Sequence, residues 1–267
     1  HVHKFIVVES LFSHSGERKK LNFDINNYPK FKDKIIYLVI DREPDDLINP
    51  LNENIQYKRI NSIKRIELSY DFMMSEIKKL SDNDLIILSD NDEIPNLDST
   101  QFKDSNSDIY IFKQLFFYYK FNLLYDRMYW FGSKACTKKK LKSLSWLRNL
   151  KNKKYPFWRV DTFFSKTKSS SLKIINDGGW HFTNVMSAEN LYTKMTNFGH
   201  HDEFELSELS VEDLKIKINQ GLVFYDHFAG QEDKNKWEFN YKLKKISDNL
   251  LPDSLIKDKI KLKEWFN

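Results

Sequence analysis

Short runs of aliphatic and β-branched residues, each bounded by polar side chains, constrain this chain more than any other feature. They are KFIVVE (Lys4–Glu9), KIIYLVI (Lys34–Ile40), DLIILS (Asp84–Ser89), DIYIFK (Asp108–Lys113) and LKIIN (Leu172–Asn176). Runs this short and apolar predict buried strands. Near-continuous apolarity predicts a sheet covered on both faces, as in a parallel α/β fold. Between the second and third runs, Ile60, Ile63, Ile66, Tyr70, Met73, Ile77 and Leu80 recur at steps of three or four, which predicts a helix with one apolar stripe. Strand, helix, strand then predicts a parallel crossover. Its second strand would deliver the following residues to the sheet edge where ligands bind.

That edge is DLIILSDNDEIP, Asp84 to Pro95, where Asp90, Asp92 and Glu93 crowd together at the end of a strand. Carboxylates this close repel one another and lose hydration near a sheet. A solvated polar turn is one reading. A helix–loop–helix calcium site fails, because its sixth position requires glycine and its twelfth glutamate, and neither is present. A phosphohydrolase with an aspartate nucleophile fits Asp90 loosely. A nucleotide-sugar site fits best: a divalent ion held by one or two carboxylates neutralises the pyrophosphate that departs from a donor sugar. Hard oxygen ligands point to Mn²⁺ or Mg²⁺.

The remaining chain narrows the class. With 267 residues, 40% hydrophobic and 15% aromatic, it can bury a substantial core. A formal charge of +5, from 43 basic and 38 acidic residues, suits an anionic small molecule and not a dedicated nucleic-acid binder. The single Cys136 excludes an internal disulfide framework. The aromatic run from Tyr110 to Trp130 is broken by Lys113, Lys120, Asp126 and Arg127, so no membrane span is expected. Its alternating rings predict antiparallel strands and a core role before a sugar-stacking one. The lysine-rich segment Lys138–Lys154 reads as a solvated face. Helices are expected from Ser187 to Gly199, from Ser210 to Gly221, and after Pro252. One domain over residues 1–250 with a C-terminal helix over 251–267 is the expected organisation.

Four segments give a resemblance: FIVVESLFSHSGERKKLNF, KIIYLVID, DLIILSDNDEIP and GGWHFTNVMSAENLYTKMTNFGHHDEF. Together they resemble glycosyltransferase family 17, the bisecting N-acetylglucosaminyltransferases and their microbial and viral relatives. The resemblance implies an inverting transferase of GT-A type, with a Rossmann-like nucleotide-sugar sheet. It implies a UDP-sugar donor, typically UDP-N-acetylglucosamine, and a glycan acceptor. The resemblance implies a further strand and helix ahead of KFIVVE, and their absence from this sequence is read either as that of a fragment or as that of a lineage that fills the sheet edge differently. An inactive carbohydrate-binding relative is the alternative reading.

On this chain the resemblance implies metal binding by Asp90 and Asp92, with His181 of GGWHF completing the shell. Glu9, Lys20, Asp90, Trp180 and His200 would meet the donor. Inverting transfer needs a general base within hydrogen-bond reach of the acceptor hydroxyl, and Glu93, Asp177 and Glu203 are the candidates. His181 is expected on a turn. With no anchor visible, a cytoplasmic microbial or viral enzyme is expected, or a Golgi lumenal one if the chain is a eukaryotic catalytic fragment.

Overall fold

All five aliphatic runs form strands in the computed structural model, which describes residues 2–49, 56–105, 107–153, 155, 165, 167–169, 171–198, 201–205, 207–230 and 234–267. They are β1 (Phe5–Ser10), β2 (Ile35–Ile40), β3 (Leu85–Leu88), β5 (Ile109–Phe112) and β9 (Leu172–Ile175), with β4 (Glu93–Pro95) directly after the acidic turn. The chain is a mixed α/β protein that divides into two units: His1–Leu80 with Tyr192–Ser210, and Ser81–Leu191 with Val211–Asn267.

In the first unit β1 and β2 pair in parallel, from Phe5 opposite Ile35 to Ser10 opposite Ile40. Residues 11–34 make the crossover, using two 3₁₀ turns; Asp24 caps the first and Pro29 opens the second. Helix α1 (Gln56–Ile77) packs on both strands. The expected apolar stripe holds only in part: Ile77 is buried and Ile66, Tyr70, Met73 and Leu80 are half-buried. Ile60 and Ile63 are exposed, whereas Asn61 and Ser62 are buried. The reason is that this face also holds loops. Ser62 Oγ donates to the His14 carbonyl, and Arg65 bonds the same carbonyl while pairing with Glu43. Asn61 exchanges two hydrogen bonds with the backbone of Ile48. Apolar side chains could make none of these bonds.

Among the described residues the second unit holds a four-stranded sheet, a five-stranded sheet and a two-stranded ribbon that pairs Leu222–Val223 with Tyr241–Lys242. Strand β8 (Lys134–Thr137) lies between β3 and β5 and is antiparallel to both, while β9 extends β5 in parallel. The expected parallel crossover onto β3 is therefore corrected, because among the described residues β3 pairs with β8 in a sheet separate from that of β1 and β2. The five-stranded sheet orders the short strand Lys244–Lys245, β7 (Leu123–Leu124), β6 (Leu115–Tyr118), β10 (Gly179–Thr183) and β4. The expected antiparallel pairing within the aromatic run is present between β6 and β7. Tyr110, Phe112, Phe116, Phe117, Tyr118, Tyr119 and Tyr125 are buried and fill the core.

The described lysines of 138–153 are mostly exposed, as expected of a solvated face, with α2 (Leu144–Arg148) anchored beneath them by buried Leu144 and Leu147. Helices Ala188–Asn197 and Val211–Gln220 match two expected ones. In the last segment the helical residues are Asp253–Lys257 and, as a 3₁₀ turn, Lys263–Trp265. Among the described residues no helix is long and apolar enough to cross a membrane.

Candidate active site

The acidic turn is built by three different arrangements of its three acids. Glu93 opens β4 with its side chain 5% exposed. Its Oε1 accepts from the Trp130 indole at 2.7 Å, and its Oε2 accepts from the Asp90 amide at 3.0 Å and from Ser133 Oγ at 3.2 Å. Burial, and then the charge of Asp90, push its carboxyl above the ordinary range. Glu93 thus fixes the turn from below, and both its oxygens are already accepting bonds.

Asp90 faces outward. Its two oxygens accept parallel bonds from Arg148 Nη1 and Nη2, each 2.7 Å, with the side chains 43% and 36% exposed. Arg148 closes α2, whose start is capped by Ser143 Oγ accepting from the Trp146 amide. Buried Lys134 donates its ammonium to the carbonyls of Arg148 and Leu150, pinning the end of this helix. Burial and the nearby Arg148 charge lower the Lys134 pKa to about 8.

Asp92 meets His181, with Oδ1 3.3 Å from Nε2, and its carbonyl accepts from the Phe182 amide at 2.8 Å. His181 lies not on a turn but within β10, opposite Glu93 on β4 and Phe116 on β6. Its ring is sandwiched between Phe116 (centroids 4.8 Å apart) and Trp130 (4.6 Å). Nδ1 is buried and has no hydrogen-bond partner among the described residues. Strand alternation explains the GWHF pattern. Trp180 takes the opposite face, packing with Phe117, Phe182 and Leu251 and donating Nε1 to the Leu250 carbonyl at 2.6 Å. Gly179 enters the strand at φ +107°, where a Cβ would lie 2.1 Å from the Ile94 carbonyl.

The other predicted residues are placed as follows. Asp177 is exposed before β10 and accepts from Asn96 Nδ2 at 2.9 Å. In the first unit, Glu9 accepts from Lys19 Nζ, the Asn22 and Phe23 amides and Tyr37 Oη. Burial works against its charge, but these bonds prevail and its pKa is lowered. Tyr37 is pushed up to about 12 by burial and by Glu9. Lys20 is exposed; Lys19 is the cation on Glu9. Glu203 is buried with Arg59 Nη1 at 2.8 Å. His200 lies outside the described residues. The structure therefore brings Asp90, Asp92, Glu93 and His181 together, while Glu9, Lys20 and Glu203 belong to the other unit.

Asp90 and Asp92 supply the hard oxygens that Mg²⁺ or Mn²⁺ prefers. Among the described residues no three His, Cys, Asp or Glu side chains gather as a cage. Such an ion would fit here as in sites where substrate phosphates and water complete the shell, with Asp92 and, once parted from Arg148, Asp90 as its protein ligands.

Arg148, Trp130, Ser133, Gly132 and Lys134 were not apparent from sequence. Only Arg148 carried a signal, as the lone arginine in a lysine-rich run.

A mixed α/β chain with an acidic turn beyond a strand is the architecture of many group-transfer enzymes. The comparison of families is specific: the model of glycosyltransferase family 17 matches residues 1–229. The chain belongs to glycosyltransferase family 17, a family of enzymes that transfer sugars. No curated protein and no solved structure matches it.

Proposed function

We propose that the chain is an inverting transferase that moves N-acetylglucosamine from a UDP-sugar to a hydroxyl of a glycan acceptor, within a GT-A type nucleotide-sugar fold. The observation that carries this reading is the acidic turn itself. Glu93 buttresses it from the interior, and Asp90 and Asp92 present carboxylates above. A bound Mn²⁺ or Mg²⁺ would neutralise charge on the departing diphosphate.

The chain's own residues hold and orient. His181, clamped between two rings, fixes the Asp92 carboxylate against rotation. Glu93 keeps the turn from opening. Of the three base candidates, Glu93 is buried and engaged on both oxygens, and Glu203 is buried against Arg59 in the other unit. Asp177 shares the unit of the acidic turn and is exposed, with Oδ2 accepting from Asn96, and we propose that it takes the proton of the acceptor hydroxyl.

Thermal denaturation with UDP-, GDP- and dTDP-sugars, each with Mn²⁺ and with EDTA, tests this. Ligand at a hundred times its dissociation constant adds about 2.7 kcal/mol. Stabilisation by UDP-N-acetylglucosamine that EDTA abolishes supports the reading. A folded protein indifferent to every nucleotide sugar refutes it and favours an inactive carbohydrate-binding relative.

A further inference from the structure

We propose that Arg148 binds the donor's diphosphate, and that its ion pair with Asp90 is a resting position it leaves when the nucleotide arrives. This rests on the donor-site reading above.

The argument begins with charge. A diphosphate approaching the turn meets Asp90 and Asp92, and like charges that close repel. Beside a divalent ion, a protein cation within reach of the same turn would offset that repulsion and draw the diphosphate in. Lys134 is near but buried, and its ammonium is committed to the carbonyls of Arg148 and Leu150. Arg148 is half-exposed and directs its planar fork at Asp90 with two equal bonds. A guanidinium fork matches phosphate oxygens with the same bidentate geometry as a carboxylate. At 36% and 43% exposure both partners are within reach of a ligand, and a diphosphate offers the fork the same bidentate bonds in exchange for those it leaves.

Local structure fits such an exchange. The backbone of Arg148 is fixed by buried Leu144 and Leu147, by the Ser143 cap and by Lys134. The side chain extends from that fixed point towards the turn. While no donor is present, Asp90 holds the guanidinium in register. When Arg148 turns to phosphate, both oxygens of Asp90 become available.

Calorimetric titration of the full chain with UDP and with UMP, in EDTA and in excess Mg²⁺, tests the proposal. Arg148→Met should weaken UDP binding at least tenfold and bring the preference for UDP over UMP towards one. Arg148→Lys, which keeps charge but loses the fork, should fall between, and it carries the comparison if Arg148→Met does not fold. Asp90→Asn should tighten UDP binding in EDTA severalfold, because it releases Arg148. Opposite signs for the two positions are the signature of exchange; a merely structural ion pair gives the same sign for both. Unchanged UDP affinity in folded Arg148→Met, or weakening by Asp90→Asn in EDTA, overturns the proposal alone. Failure of the wild type to bind UDP under either condition overturns it together with the donor-site reading.

Discussion

The Trp130 indole donates to Glu93 Oε1 across 2.7 Å, and Gly132 lies so close to this bond that a Cβ there would fall 1.7 Å from the same oxygen. The acidic turn is thus supported by a contact that admits no added atom. Gly132→Ala should cost roughly 1–3 kcal/mol by overpacking. Trp130→Phe keeps an aromatic ring but removes the donor to a buried carboxyl and should cost about 1.5–3 kcal/mol. Urea unfolding of both variants checks the two costs, and a neutral Gly132→Ala would show that the turn can move aside.

Lys134 makes a pH prediction. Its folded pKa of about 8 lies below the ordinary lysine value of 10.5. Between those values the unfolded chain binds more protons, so stability rises with pH across that window. Below pH 8 the burial of the charge costs on the order of 3 kcal/mol. Denaturant midpoints of the wild type, referred to Lys134→Met, should climb from pH 8 to pH 9.5. A flat difference would contradict the lowered pKa.

His181→Phe separates packing from chemistry. Phenylalanine can keep the stack between Phe116 and Trp130, and it removes the buried, unpartnered Nδ1. The melting temperature should stay within a few degrees of wild type. Asp92 loses its contact with His181, so turnover of the sugar donor should drop by about tenfold, equivalent to about 1.4 kcal/mol of lost positioning in the transition state. Loss of stability with full activity would reverse the assignment.

Asp177→Asn tests the base. The residue is exposed, so folding should be unaffected. The value of kcat should fall by about 10²–10⁴, the usual contribution of a general base, while donor binding stays the same. An Asp177→Asn enzyme as fast as wild type, beside an inactive Glu203→Gln, would move the role to Glu203.

The strands were legible because each apolar run is short and bounded by polar residues. Their partners were not, because an aliphatic run does not encode which ladder it joins. The four residues of β8 begin with a lysine and end with a threonine, and nothing in that pattern announces a strand between β3 and β5. The helix α1 was legible as a helix, but Ser62 and Arg65 read as its outer face. Their loop partners lie 48 and 51 residues away in sequence. At the site, the crowding of Asp90, Asp92 and Glu93 was visible, since like charges so near require an explanation. Their three fates were not. The residues that distinguish them, Trp130, Ser133, Arg148 and His181, are 37 to 89 positions away and meet the turn only after folding.

Strand β10 carries Trp180 into the core on one face and His181 towards Asp92 on the other. Side chains alternate with a period of two, so adding or removing one residue here would exchange the two faces. Descendants of such a chain can alter this strand by substitution, but they cannot change its length without losing core and site together. An insertion scan should find the loops permissive and Gly179–Thr183 closed at every position.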